Sequence, residues 1–194
     1  MKKILAFLAV GLLSTSAVAD GAKNFAHIQY TFRDTISDNQ GDPNRQGVNF
    51  TLGRKITDSI QLDVSQQFRT EKLNSDSGSS SNRLETGATY QLGVTSNVAL
   101  YTRGAVGEKF TDSTNYAYYS VENGIKTQLT NNWTTKVGYR YRDAFSDSRN
   151  EKTNTVRLGA EYAIDKDQAI TLGLDRSYGA SDFVGYNAGY VIKF

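Results

Sequence analysis

From residue 24 to the end of the chain, apolar and polar side chains alternate with a period of two. Ala26, Ile28, Tyr30 and Phe32 share one face of the first run; His27, Gln29, Thr31 and Arg33 share the other. Next, Val48, Phe50 and Leu52 oppose Asn49, Thr51 and Gly53, and Ile60, Leu62, Val64 and Phe68 oppose Asp63, Ser65, Gln67 and Arg69. Later runs repeat the rule, with Leu84, Ala88 and Tyr90 against Arg83 and Glu85, and Val137, Tyr139 and Tyr141 against Lys136, Arg140 and Arg142. The last run sets Val184, Tyr186, Ala188, Tyr190, Ile192 and Phe194 against Asn187 and Lys193. Successive side chains of a strand point to opposite faces, so each run has one apolar and one polar surface. The pattern predicts ten antiparallel strands, within a range of eight to twelve, and no helix between them.

The connections alternate too. Stretches 35–46, 73–82, 111–115, 146–152 and 179–181 follow odd-numbered strands; the first two are long, and the second is rich in Ser, Gly and Asp. The stretches 55–59, 93–97, 130–132 and 165–167 that follow even-numbered strands are tight and rich in turn formers. Long loops at one end and short turns at the other describe an up-and-down meander closed into a transmembrane β-barrel. The single proline, Pro43, falls in the first long loop, where no ladder hydrogen bond is lost.

Composition sharpens this. The chain has no Cys and one His, which excludes disulfide scaffolds, Cys-ligated metal centres and thiol chemistry, and no metal or cofactor is expected. Net charge is +2, too balanced for a nucleic-acid binder. At the N-terminus, Lys2 and Lys3 precede an apolar run, Ile4 to Leu13, and a small-x-small site at Ala17-Val18-Ala19. That is the layout of a secretory signal peptide at residues 1–19, with the barrel domain at 20–194. Cleavage would remove both lysines and leave a charge-balanced chain.

Alternation alone does not separate a membrane barrel from a soluble one, whose apolar face points inward around a ligand. Charges recur mid-strand on the polar face, as a wet or ion-paired lumen needs. Tyr30, Phe32, Phe68, Tyr90, Trp133, Tyr141, Tyr162, Tyr186 and Tyr190 fall near strand ends, where aromatic girdles sit. The chain also stops on an aromatic. Tyr190-Val191-Ile192-Lys193-Phe194, with Tyr186 before it, resembles the C-terminal signal of bacterial outer-membrane proteins. That resemblance implies a Gram-negative outer membrane and recognition of Tyr186, Tyr190, Ile192 and Phe194 by the barrel-assembly machinery. Outer-membrane lipid and lipopolysaccharide become expected partners. Residues 131–142, NNWTTKVGYRYR, are similar to strands of the small monomeric porins for oligogalacturonate and related acidic sugars. The similarity implies a monomer with an inward basic track. It covers little beyond this strand, and ten strands are expected here where that family has twelve.

On the polar face the overall charge balance breaks down. Arg33, Arg69, Arg83, Arg103, Lys109, Lys126, Lys136, Arg140, Arg142, Arg157 and Lys193 face Asp63, Glu85, Glu122, Glu161 and Asp175, an excess of six positive charges. Low-dielectric walls focus such a field and draw in anions. The expected function is a small porin for passive diffusion of small anionic solutes. Arg103, Arg140, Arg142 and Arg157 would form the central track, with Arg69 and Arg83 toward the external mouth. The alternative is a pore-less barrel in which these charges pair across a filled lumen, serving a structural or adhesin-like role through its loops. Catalysis is not expected: His27 begins the first strand, low in the barrel, and no nucleophile or acid is spaced to work with it.

Overall fold

The structure is a computed structural model that describes residues 24–35, 45–71, 79–112, 114–146, 151–180 and 182–194. The leader expected at residues 1–19 and most of the two longest loops lie outside these residues. Ten strands follow in chain order: β1 (Asn24–Thr35), β2 (Arg45–Lys55), β3 (Ile60–Glu71), β4 (Ser79–Gly93), β5 (Val98–Thr111), β6 (Asn115–Gln128), β7 (Trp133–Ala144), β8 (Thr153–Ala163), β9 (Gln168–Gly179) and β10 (Phe183–Lys193). Each pairs antiparallel with its neighbours in sequence, and β10 pairs with β1. The sheet is therefore a closed up-and-down barrel, as the alternation predicts. Among the described residues there is no helix.

The barrel is inverted relative to a soluble protein. Ile28, Phe50, Leu100, Ile125, Leu158 and Leu172 stand exposed on the outer wall, while Arg33, Asp63, Ser177 and Asn187 are buried inside. An apolar outer band belongs in lipid, where every backbone group must be paired within the protein and only closure satisfies the sheet edges. Aromatic pairs mark both ends of this wall. Trp133 and Tyr162 pack at 5.0 Å beside the turns, and Tyr119 packs on Tyr141 and Phe145 at 6.1 and 5.3 Å near the loop end.

The largest departure from the expected boundaries is in β4. Ser79–Asn82, expected inside the second long loop, belong to β4 and pair with Glu71–Phe68 of β3. A run of Ser and Asn carries no hydrophobic alternation, but ladder hydrogen bonds come from the backbone and need none.

The four short turns share one design. Each has four residues, 56–59, 94–97, 129–132 and 164–167, opening with Ile56, Val94, Leu129 or Ile164. The second residue, Thr57, Thr95, Thr130 or Asp165, accepts two backbone N–H bonds through its side-chain oxygen, from the residues two and three further on. These are side-chain-mimicked turns that fix the register of each hairpin. The start of β1 meets Phe194 at the same rim: Asn24 N–H donates to Phe194 O at 2.8 Å, and Phe194 N–H donates to Asn24 O at 2.9 Å. At the opposite end, β9 closes on Gly179 with a φ of 105°, a left-handed conformation that disfavours side chains.

Candidate functional site

Odd-numbered residues of β1–β5 and β8–β10, and even-numbered residues of β6 and β7, point into the barrel, because the parity switches across the turn region between β5 and β6 and back between β7 and β8. They surround a cavity of about 340 Å³ lined by nine Lys and Arg and five Asp and Glu side chains. The largest of them lie flat against the wall over glycines. Tyr101 covers the cross-strand pair Gly124 and Gly138, and Arg103 covers Gly87. Room for these side chains, rather than open lumen, is what glycine provides at these three positions. A methyl on Gly124 would stand 2.6 Å from the Tyr101 ring. Gly124→Ala is therefore expected to destabilise the barrel by about 1–3 kcal/mol, the usual range for overpacking, as a lower urea midpoint of the detergent-folded protein.

The charges fall into three layers along the axis. In the middle layer each of two arginines holds two carboxylates. Arg103 donates to Asp63 at 2.5 and 3.1 Å and to Glu85 at 2.7 Å. Arg157 donates to Glu122 at 2.7 Å and to Asp175 at 3.3 Å. Phenols complete both knots: Tyr118 Oη–H donates to Glu85 at 3.0 Å, and Tyr101 Oη–H to Glu122 at 2.9 Å. A guanidinium presents donors on two edges, so one arginine can bridge two carboxylates carried by two other strands. Arg140 lies between the two knots, its charge acting on Glu85, Glu122 and Asp175.

Toward the loop end the balance changes. Arg33, Arg69, Arg83 and Arg142 are all buried. Arg33 stacks on the Phe183 ring at 3.9 Å, and Arg142 lies 5.6 Å from the Tyr118 ring centre. The carboxylate that meets this layer is Glu151, which precedes β8. It accepts from Lys109 at 2.9 Å and lies 3.5 Å from Arg142 and 3.9 Å from Arg83. Burial works against its charge, but the neighbouring Tyr116 hydroxyl, the Lys109 ammonium and the Arg142 charge prevail and hold its carboxyl at about 2. Glu151 thus stays ionised throughout the physiological range.

The layer at the turn end is basic too, and simpler. Lys126 and Lys136 line the cavity, and Lys193 reaches Glu161 at 3.5 Å. His27 Nε2 lies 3.0 Å from Thr171 Oγ1 in this layer, low in the barrel.

All six arginines singled out from the sequence, Arg69, Arg83, Arg103, Arg140, Arg142 and Arg157, line the one cavity. They do not form one continuous track. Arg103 and Arg157 are tied into the two knots, Arg140 sits between them, and Arg142 belongs with Arg69 and Arg83 at the loop-end mouth. At the other rim, Ile192 and Phe194 are exposed on the outer wall and Tyr190 donates through its hydroxyl to Gln168, whereas Tyr186 is exposed on the same wall nearer the loop end, opposite Phe32. Glu151 was not among the residues expected inside, because it lies in a connection. The parity of Thr153, Thr155 and Arg157, extended back by one step, would have placed it on the inward side.

No protein-family model matches the sequence, and no curated protein matches it. Solved structures share the fold. An outer membrane channel from Pseudomonas putida F1 is 10% identical, with 93% of this chain and 98% of that chain covered and a TM-score of 0.60. The translocator domain of the autotransporter NalP from Neisseria meningitidis is 9% identical, over 100% of this chain and 94% of that one, with a TM-score of 0.53. The NanC porin is 8% identical, over 87% of this chain and 100% of that one, with a TM-score of 0.51. What these proteins share with this chain is the outer-membrane β-barrel fold, channel and translocator domain alike.

Proposed function

We propose that the protein is a narrow outer-membrane channel that passes small anionic solutes by diffusion and performs no chemistry on them. The observation that carries this reading is the loop-end layer, in which Arg33, Arg69, Arg83 and Arg142 are buried together and, among the described residues, Glu151 pairs with Arg83, Arg142 and Lys109. An excess of fixed positive charge inside a low-dielectric wall concentrates anions at the entrance and repels cations. The two knots below it would act as the constriction. In planar bilayers the purified full chain is expected to give small conductance steps with anion selectivity. Cation-selective steps, or no steps at all, would sink this reading.

A second reading has its own support. Arg103 and Arg157 are fully engaged by four carboxylates, as in a barrel whose interior is a rigid strut. A pore-less protein would then work through its loops, with no current and with binding to a surface partner. Assembly belongs to the proposal as well. The turn end would face the periplasm, the loops the outside, with lipid and lipopolysaccharide around a monomeric wall. Tyr186, Tyr190, Ile192 and Phe194 would serve the assembly machinery. Deleting Phe194 is expected to lower the amount of folded protein in outer-membrane fractions, and an unchanged amount would remove that role.

A further inference from the structure

Four arginines at the loop-end mouth, Arg33, Arg69, Arg83 and Arg142, are 5, 9, 7 and 5% exposed. The Nε of each is buried without a hydrogen-bond partner among the described residues. Their charges act on one another: each of Arg33, Arg69 and Arg142 feels the neighbouring guanidiniums of the group. Holding like charges together out of water is unfavourable unless anions compensate them. Among the described residues, Glu151 supplies one negative charge beside Arg83, Arg142 and Lys109, and Asp175 acts on Arg33 from the middle layer.

The way Glu151 is held is uneven. Its Oε1 makes a short contact with Lys109 at 2.9 Å, whereas Oε2 stands 3.5 Å from Arg142 and 3.9 Å from Arg83. Charge-assisted hydrogen bonds usually close to about 2.7–2.9 Å, so the arginine side is loosely engaged. Glu151 also precedes β8, which begins at Thr153, so its backbone is outside the barrel ladder. Moving its side chain away breaks no strand pairing. A doubly charged oxyanion could bring two charges and several acceptor oxygens to the same place, matching guanidinium forks better than one carboxylate does.

We infer that Glu151 is an exchangeable internal ligand of an oxyanion site at the loop-end mouth, occupying the place that one charged group of an incoming polyvalent anion takes. The inference rests on the channel reading for its purpose, but binding can be measured without current. Glu151 sets the threshold of the site: monovalent anions compete poorly against a tethered carboxylate, while polyvalent ones displace it. The solute class that dwells in the mouth is therefore polyvalent, bearing phosphate or clustered carboxylate groups.

The test is calorimetric titration of the detergent-folded full chain with inorganic pyrophosphate, beside bilayer recordings of the same preparations. Removing the tethered competitor by Glu151→Gln, or by Glu151→Ala, is expected to tighten pyrophosphate binding about tenfold, on the scale of close interfacial charge pairs. Arg142→Gln and Lys109→Gln should each weaken it by a similar factor. Asp58→Asn, which removes an exposed carboxylate in the turn at the far end, should leave it unchanged. Circular dichroism confirms that each variant is folded. Weaker or unchanged binding in both Glu151 variants overturns the inference, even if the channel proves anion-selective. Tighter binding in a protein that passes no current would leave the inference standing and remove the channel.

Discussion

Arg103→Leu is expected to lower the stability of the barrel by about 3–5 kcal/mol, the usual consequence of removing one partner from a buried ion pair. Arg103 sits in the middle layer with its side chain 17% exposed, against 6% for Asp63 and 12% for Glu85. Leucine would leave both carboxylates inside the wall with no cation between them. Neither reaches bulk solvent, because Asp63 is buried on the inward face in the middle of β3, and Glu85 accepts from the Tyr118 hydroxyl. The loss is one of uncompensated charge rather than of packing. A triple variant, Asp63→Asn, Glu85→Gln and Arg103→Gln, should therefore recover most of it. Urea unfolding of the detergent-folded protein measures both. A single variant within about 1 kcal/mol of the parent, less than a tenfold change in the folding equilibrium, would mean that water reaches the knot freely. The middle layer would then be open lumen instead of a constriction.

Ala188→Pro is the second change with a large expected effect, and it acts on closure. Ala188 is in the middle of β10, opposite Tyr30 of β1 and Leu172 of β9, so it is flanked on both sides. In an antiparallel sheet a residue directs its N–H to one of its two neighbours, and proline has none to give. The substitution costs about 3 kcal/mol or more for the backbone alone. It also leaves an unpaired carbonyl at membrane depth, which costs several kcal/mol more. The seam between the first and last strands is made late in the chain's sequence and is the only pairing that removes both sheet edges. Loss of the folded form from membrane fractions is the expected outcome, with unfolded chain accumulating instead. Wild-type insertion would show that the seam tolerates an interruption and that closure is not what holds the protein in lipid.

Fold and faces were legible because the barrel is almost wholly a matter of alternation. Every strand has one neighbour on each side and one choice of which face meets lipid, so parity alone placed Arg33, Asp63, Glu122 and Asp175 inside. The Ser79–Asn82 extension escaped because polar residues on both faces give parity nothing to read. Glu151 escaped because a connection carries no period. Inward charge could be counted along the sequence, but not who meets whom. Arg103 draws partners from β3 and β4, and Arg157 from β6 and β9, so the knots join residues up to forty positions apart.

By itself the sequence determined a ten-stranded meander with its apolar face outward, because period-two patterning and turn chemistry are local properties written residue by residue. Tertiary structure alone decided how the inner charges are spent. Closing the sheet brings opposite walls within side-chain reach, and only then do two arginines bind four carboxylates in the middle layer while three cations gather around Glu151 at the mouth. Coulomb interactions depend on distance through the lumen, and distance across a closed barrel is not a property of any stretch of chain.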